Sequence, residues 1–268
     1  MKYSIITINY NNCDGLEKTI QSVINQSYQN FEFIIIDGGS TDSSVEVIKK
    51  YSNKIDYWIS EPDKGIYHAM NKGIIQAHGE YLNFMNSGDL FYDNDVLKDI
   101  SIKIDLKDII IGKDFHYNAN TKESFQTIFP TKLSMFTFFT GYLPHQSTFF
   151  KKELFQNMMY SEDYRIVSDW KFYIDKIIGE NRSVSFIDRL VAWREQNGIS
   201  SSDTNLVSKE REKVLKDFLP PGIWNDYNLL TKHLDRSTLE KLLIISDNSK
   251  AAYILKYIIK IIFRIIKN

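Results

Sequence analysis

Phe33-Ile34-Ile35-Ile36-Asp37-Gly38-Gly39-Ser40-Thr41-Asp42 is an apolar run that stops abruptly in glycine, hydroxyl and acid. β-Branched and aromatic residues closed by Gly and Asp predict a buried parallel strand opening into a loop. The same pattern returns at Tyr81-Leu82-Asn83-Phe84-Met85-Asn86-Ser87-Gly88-Asp89. Ligands of open α/β sheets collect at the carboxyl ends of such strands. Two acidic loops on one sheet edge therefore predict a single site, able to hold a nucleotide and a metal.

The flanking segments continue the rhythm. Residues 3–9 read as a first strand. Residues 15–26 read as a helix whose Leu16, Ile20, Val23 and Ile24 face a sheet at helical spacing. A strand at 31–37 is followed by a helix over 43–51, with Thr41, Asp42 and Ser43 as cap candidates. A short strand at 56–60, a helix at 66–77 ending near Gly79 and a strand at 81–85 complete a βαβαβαβ series. That series predicts a mostly parallel sheet covered by helices. Beyond Asp89 the signal loosens. Strands are expected at 108–112 and 186–193, an edge or hairpin element at 123–129, and a loop turning into a strand at 143–150. A helix is expected to open at Ser168, and Pro220-Pro221-Gly222 breaks the chain before a helical remainder.

Composition narrows the function classes. The chain has 268 residues, 43% of them hydrophobic, and a net charge of −1, so it can bury a core and offers no global charge for nucleic acid. Its single cysteine, Cys13, leaves no intrachain disulfide and no cysteine-rich zinc site, in keeping with a reducing compartment. The apolar stretch at the N-terminus is too short for a signal peptide, so the expected location is the cytoplasm. His68, His78, His116 and His233 show no metal-ligand spacing.

Taken in order, Ser4-Ile5-Ile6-Thr7-Ile8-Asn9-Tyr10-Asn11, Ile36-Asp37-Gly38-Gly39-Ser40-Thr41-Asp42, Ser60-Glu61-Pro62-Asp63-Lys64-Gly65-Ile66-Tyr67, Ala69-Met70-Asn71-Lys72-Gly73 and Gly79 to Asp89 resemble a family 2 glycosyltransferase. The resemblance runs from about residue 2 to 201, and its variant is similar to the branch that builds bacterial exopolysaccharide, capsule and lipopolysaccharide. It implies the GT-A (Rossmann-like) α/β fold, a UDP-sugar donor, and inverting transfer to a lipid-linked saccharide. Tyr10 can stack on the base, a contact of about 1–3 kcal/mol. The resemblance implies that Asp37 accepts from the base imide N–H, and that Thr7, Asn9, Asn86 and Ser87 line the donor pocket. Asp63 and Lys64 match donor-pocket positions too, a surface salt bridge being the other reading. His145 falls near the acceptor side, where it could touch diphosphate or metal, or close the pocket.

The expected Asp-x-Asp of the metal site reads Asn86-Ser87-Gly88-Asp89 here, with two carboxylates missing. A cation held mainly by donor phosphates needs only one or two protein carboxylates, so Asp89 is the expected anchor for Mn2+ or Mg2+. Inversion needs a base opposite the leaving group. The matching position is Asp169, at a helix start whose N–H groups favour a carboxylate; Glu162 and Asp163 are its reserves.

Residues 1–203 are expected to form the catalytic domain, with a nucleotide half near 1–100 and an acceptor half near 101–203. Residues 204–268 form a helical extension. In its tail, 251–268, Lys256, Lys260, Arg264 and Lys267 fall within an arc of roughly 80° at helical spacing. About sixteen residues reach roughly 24 Å, short of the ~30 Å hydrocarbon core. This predicts a helix lying on an anionic membrane surface, the inner face of the plasma membrane, or else one docked on protein. Two rival functions stay open: a nucleotidyltransferase, which lacks its Gly-rich basic phosphate loop here, and a catalytically inactive nucleotide-sugar-binding scaffold.

Overall fold

The computed structural model describes residues 2–103, 107–130, 133–195, 203–233, 238, 241–242, 245 and 248–267. Its first half follows the expected alternation closely: β1 (Tyr3–Asn9), α1 (Cys13–Ile24), β2 (Phe31–Asp37), α2 (Ser44–Lys50), β3 (Tyr57–Ser60), α3 (Ile66–Gln76) and β4 (Tyr81–Phe84). These strands pair in parallel in the order β3-β2-β1-β4. Helices cover them, so Ile5, Ile6, Ile34, Ile35, Ile36, Leu82 and Phe84 have no exposed surface. Burial on both faces explains why the strands read as unbroken apolar runs rather than alternating ones. Leu16, Ile20 and Val23 of α1 are buried as spaced, and Asn12 caps that helix by accepting from the Gly15 N–H at 3.2 Å.

The register decides where polarity emerges. Asn9 stands opposite Asp37, and Asp37 opposite Ser60, so three polar strand ends share one edge of the sheet.

The second half, where the alternation loosens, makes the sheet mixed. It contains β5 (Leu90–Phe91), α4 (Val96–Lys103), β6 (Ile109–Tyr117), β7 (Ser124–Gln126), α5 (Met135–Thr140), β8 (Thr148–Lys151), α6 (Ser168–Tyr173) and β9 (Val184–Glu195). β8 runs antiparallel between β4 and β6, β9 lies parallel to β6, and β5 and β7 add antiparallel pairings. β6 does not end at Gly112. The ladder to β9 shifts register between Ile111 and Asp114, and a Cβ at Gly112 would collide with Val191. The bulge lets β6 run on to Tyr117, with Asp114 and His116 carried along it.

The chain divides into two compact units, Met1–Val214 and Leu215–Asn268, with the boundary inside α7 (Thr204–Phe218). Within the second unit, α8 (Pro221–His233) opens on Pro221 at its first position, where the missing N–H is not needed. α9 (Ser249–Lys267) follows. No helix among the described residues is long and apolar enough to cross a membrane.

Candidate active site

The carboxyl ends of β1, β2 and β3 build a hydrogen-bonded floor. Asp37 has no exposed surface. Its Oδ1 accepts from Asn9 Nδ2 at 2.7 Å and Ser40 Oγ at 2.6 Å; its Oδ2 accepts from the Ser40 N–H at 2.9 Å and Ser60 Oγ at 2.6 Å. Burial alone would raise this carboxyl, but the donors of Ser40, Ser60 and Asn9 outweigh it and hold it below the usual range. Four donors fill the four lone-pair sites of a carboxylate. A base imide can therefore reach Asp37 only by exchanging with a serine hydroxyl.

Asn11 stitches the β1 and β2 loops together. It sits at φ 49, donates its N–H to Ser40 Oγ at 2.8 Å and accepts from the Thr41 N–H at 2.8 Å. This leaves the Tyr10 ring 67% exposed beside the floor. A Cβ on Gly38 would lie 3.3 Å from the Tyr10 ring and 3.1 Å from Asp63 Oδ2, so a side chain there would crowd the space between them.

A second cluster gathers beyond β4. The loop stays close to β1, with the Ser87 N–H donating to the Ile8 carbonyl at 3.1 Å and Asn12 Nδ2 to the Ser87 carbonyl at 3.1 Å. Asp89 accepts from Gln146 Nε2 at 3.0 Å and lies 3.6 Å from the Arg194 guanidinium. Burial raises the Asp89 carboxyl, with Arg194 and Gln146 opposing. Arg194 also approaches Asp114 at 3.5 Å, and its Nε is buried without a hydrogen-bond partner. Asp114, with no exposed surface, accepts from Ser147 Oγ; burial still pushes it up to about 6. His116, 3.8 Å from Asp114, is pushed down to about 4 by burial and by Arg194. Asp114 is thus still protonated where His116 becomes charged, and both are neutral between about pH 4 and about pH 6, so the two do not act as an ion pair.

The third element is Asp169, in the first turn of α6. The Tyr67 hydroxyl, at the start of α3, lies 2.7 Å from Asp169 Oδ1 and 2.5 Å from the Ile166 carbonyl. Burial, with the nearby charge of Asp169, raises Tyr67 well above its ordinary value, so it remains a proton donor. From α7, Arg211 stacks on Trp170 at 5.0 Å, with a buried Nε that has no hydrogen-bond partner.

Short chain segments and side-chain contacts link these clusters. Asp63, beside Gly38, is four residues from Tyr67, which reaches Asp169. Gln146 holds Asp89, while its neighbour His145 meets the Tyr160 hydroxyl at 2.8 Å, and the Tyr160 ring packs on Tyr67 at 5.6 Å.

Thr7 is buried, its hydroxyl donating to the Met85 carbonyl at 2.7 Å. Asn86 Oδ1 is buried without a partner, and Ser87 Oγ donates to the Asn12 carbonyl at 3.3 Å. Asp63 pairs with Lys72 at 2.7 Å and His68 at 3.0 Å; Lys64 is exposed. His145 is buried and stacked on Phe84 at 5.1 Å, and burial lowers its imidazole. The contact to Asp89 comes from Gln146 instead. Asp114, Gln146, Arg194, Tyr67 and Arg211 were not singled out from the sequence. Arg194 carried one usable signal: a cation that directly follows the apolar stretch Leu190-Val191-Ala192-Trp193 demands a counter-charge if the strand is buried.

Among the described residues, no three His, Cys, Asp or Glu side chains form a metal cluster. The oxygens present, one Asp89 carboxylate and the unpartnered Asn86 amide, suit a hard cation completed by phosphates and water.

The profile of Glycosyl transferase family 2 matches residues 4–169. An uncharacterised glycosyltransferase of Mycobacterium tuberculosis is 34% identical over 180 residues, 64% of this chain and 67% of its own length. A PGL/p-HBAD biosynthesis glycosyltransferase of the same species is 26% identical over 221 residues, 80% of this chain and 83% of its own. Staphylococcus aureus TarS 1–349 in complex with UDP-GlcNAc superposes with a TM-score of 0.63 at 20% identity, covering 88% of this chain and 74% of that one. The fold is GT-A.

Proposed function

Because the chain belongs to glycosyl transferase family 2, and is thus a nucleotide-sugar-using glycosyltransferase, we propose that it moves one sugar, with inversion, from a UDP-sugar to a lipid-linked saccharide of a bacterial surface polysaccharide. The observation that carries the reading is the set of links that tie Asp169 to Tyr67 of the donor half and Asp89 to Gln146, whose neighbour His145 reaches Tyr67 through Tyr160.

Tyr10 offers its exposed ring to the uracil, above the floor that Asn9 and Asp37 hold rigid. Asp63 bounds the pocket beside Gly38, and Lys64 offers a cation at its rim. Asp89, helped by the unpartnered Asn86 oxygen and the Ser87 loop, would hold Mn2+ or Mg2+. Such an ion, when bound, neutralises charge on the leaving diphosphate. Arg194 offers a second positive centre, held by Asp89 and Asp114 with its Nε lacking a hydrogen bond. His145 closes the wall behind them. Asp169 takes the acceptor hydroxyl proton as the new glycosidic bond forms. Arg211, beside Asp169, offers its unpartnered nitrogen to a phosphate of the acceptor.

Work on a lipid-linked acceptor fits a protein peripheral on the inner face of the plasma membrane. α9 supports this: Tyr253, Ile254, Tyr257, Ile258 and Ile262 are all exposed, alongside its basic arc. Thermal stabilisation by a panel of UDP-sugars, with and without Mn2+, tests the donor assignment. One UDP-sugar should stabilise above UDP alone, and a panel with no response would reject it.

A further inference from the structure

We infer that Glu210 of α7 is a positioning residue for Asp169, so that a helix outside the family-profile match belongs to the catalytic apparatus. The inference deepens the transferase reading and rests on its assignment of Asp169 as the base.

Three consecutive backbone N–H groups converge on the Glu210 carboxylate. Arg165 donates to Oε1 at 2.8 Å, and Ile166 and Val167 donate to Oε2 at 3.0 and 3.3 Å. Val167 is the residue from which α6 starts, and it supplies no side-chain cap. Helix entries usually satisfy their free N–H groups from a Ser, Thr, Asp or Asn of the same loop. Glu210, 43 positions beyond Val167, instead fixes the three N–H groups that lead into the helix. Hydrogen bonds to an ionised acceptor are roughly twice as strong as neutral ones, and three on one side chain fix both the place and the tilt of the loop.

The opposite face of that loop is held from the donor half. The Tyr67 hydroxyl meets the Ile166 carbonyl, while Glu210 takes the Ile166 N–H. Ile166, three residues before Asp169, is therefore held through its N–H, while its carbonyl lies against a Tyr67 hydroxyl whose single proton it shares with Asp169. The same Tyr67 hydroxyl contacts the Asp169 carboxylate itself. Two further contacts from α7 bracket the segment: Lys213 over the Tyr164 ring at 5.1 Å and Arg211 over the Trp170 ring at 5.0 Å. α7 thus grips the chain on both sides of the base. A general base must come within about 2.6–3.2 Å of the oxygen it deprotonates, and the clamp sets that reach.

The full-length chain carries the test, with Glu210→Ala, Glu210→Gln and Tyr67→Phe assayed for transfer, UDP affinity and thermal midpoint. Glu210→Ala should lower kcat about 30- to 100-fold, the scale of a misplaced reacting group, with donor KM and UDP affinity within about twofold of the parent. Glu210→Gln should recover part of the loss, because one acceptor oxygen can still meet the Ile166 and Val167 N–H groups. Should Glu210→Ala fail to fold, the other two variants decide. A kcat unchanged in the soluble variants would overturn the inference. So would parallel falls in kcat, UDP affinity and thermal midpoint with no recovery by Gln, which would mark Glu210 as a stabiliser only. Asp169→Asn measured alongside separates the two levels. If it keeps turnover, the base assignment fails and this inference with it; if it is inactive while Glu210→Ala is unimpaired, only the clamp is refuted.

Discussion

Replacing Asp114 by Asn should make the protein more stable at neutral pH, by an amount that can be worked out. Asp114 is fully buried, and its carboxyl moves from 3.8 to about 6. A shift of about two pK units, at 1.36 kcal/mol each, is about 3 kcal/mol. The sign follows from linkage. Below the unfolded value both states are protonated and the contribution is fully present; it is lost as pH rises through about 6, where the folded state must ionise a buried group. Asn has nearly the same shape and never ionises, so only this pH-dependent contribution disappears. The attraction of Arg194 is already contained in the shift. His116, pushed down to about 4, contributes in the opposite direction, present above its unfolded value and lost as pH falls through about 4. It never charges alongside Asp114, so it nearly cancels between the two proteins. Urea unfolding from about pH 4.5 to about pH 7.5 captures about 2 kcal/mol of the total as a growing advantage of the variant. A difference that stays flat across that range would refute the reading of Asp114 as a strained buried acid.

A substitution and a truncation address the site and the tail. Asp89→Ala should abolish the part of UDP binding that depends on Mn2+ or Mg2+, measured by calorimetry with and without chelator; unchanged metal dependence would remove Asp89 as the anchor. Ending the chain before Ala251 should move it from the membrane to the soluble fraction, and mild salt washing should partly do the same to the full chain. Identical fractionation of both forms would point to docking on protein instead.

The residues of the first half announced their own structure. β1 and β2 occupy the expected ranges, 3–9 and 31–37, because a doubly covered parallel strand is apolar along its whole length. Asp37 ends β2 and Asp89 lies in the loop after β4, on the two strands that flank β1. The second half obeys pairings that no local pattern encodes. Gly112 reads as a strand end, yet close packing on Val191 turns it into a bulge and β6 runs on to Asp114 and His116. Residues 90–91 are too short to register as a strand, and α5, though it opens on a Ser134–Thr137 capping box, is only six residues long. Arg194 signals burial, but its partners are set only when β9 pairs with β6 and places it opposite His116. Glu210 is one acid among several on a polar helix until the loop at 165–167 folds onto it. What stayed hidden are side chains defined by partners dozens of residues away. The last residues of the family resemblance, 196–201, lie outside the described residues.

Asp169→Asn, followed through a single turnover beside its UDP affinity, bears most directly on the claim that one crevice holds a sugar nucleotide against a base. Asn keeps the size and the Tyr67 contact but cannot take a proton. UDP affinity should match the parent, while transfer falls about 100- to 10,000-fold, the range expected for loss of general base catalysis. Transfer at the parental rate with UDP still bound would contradict the account.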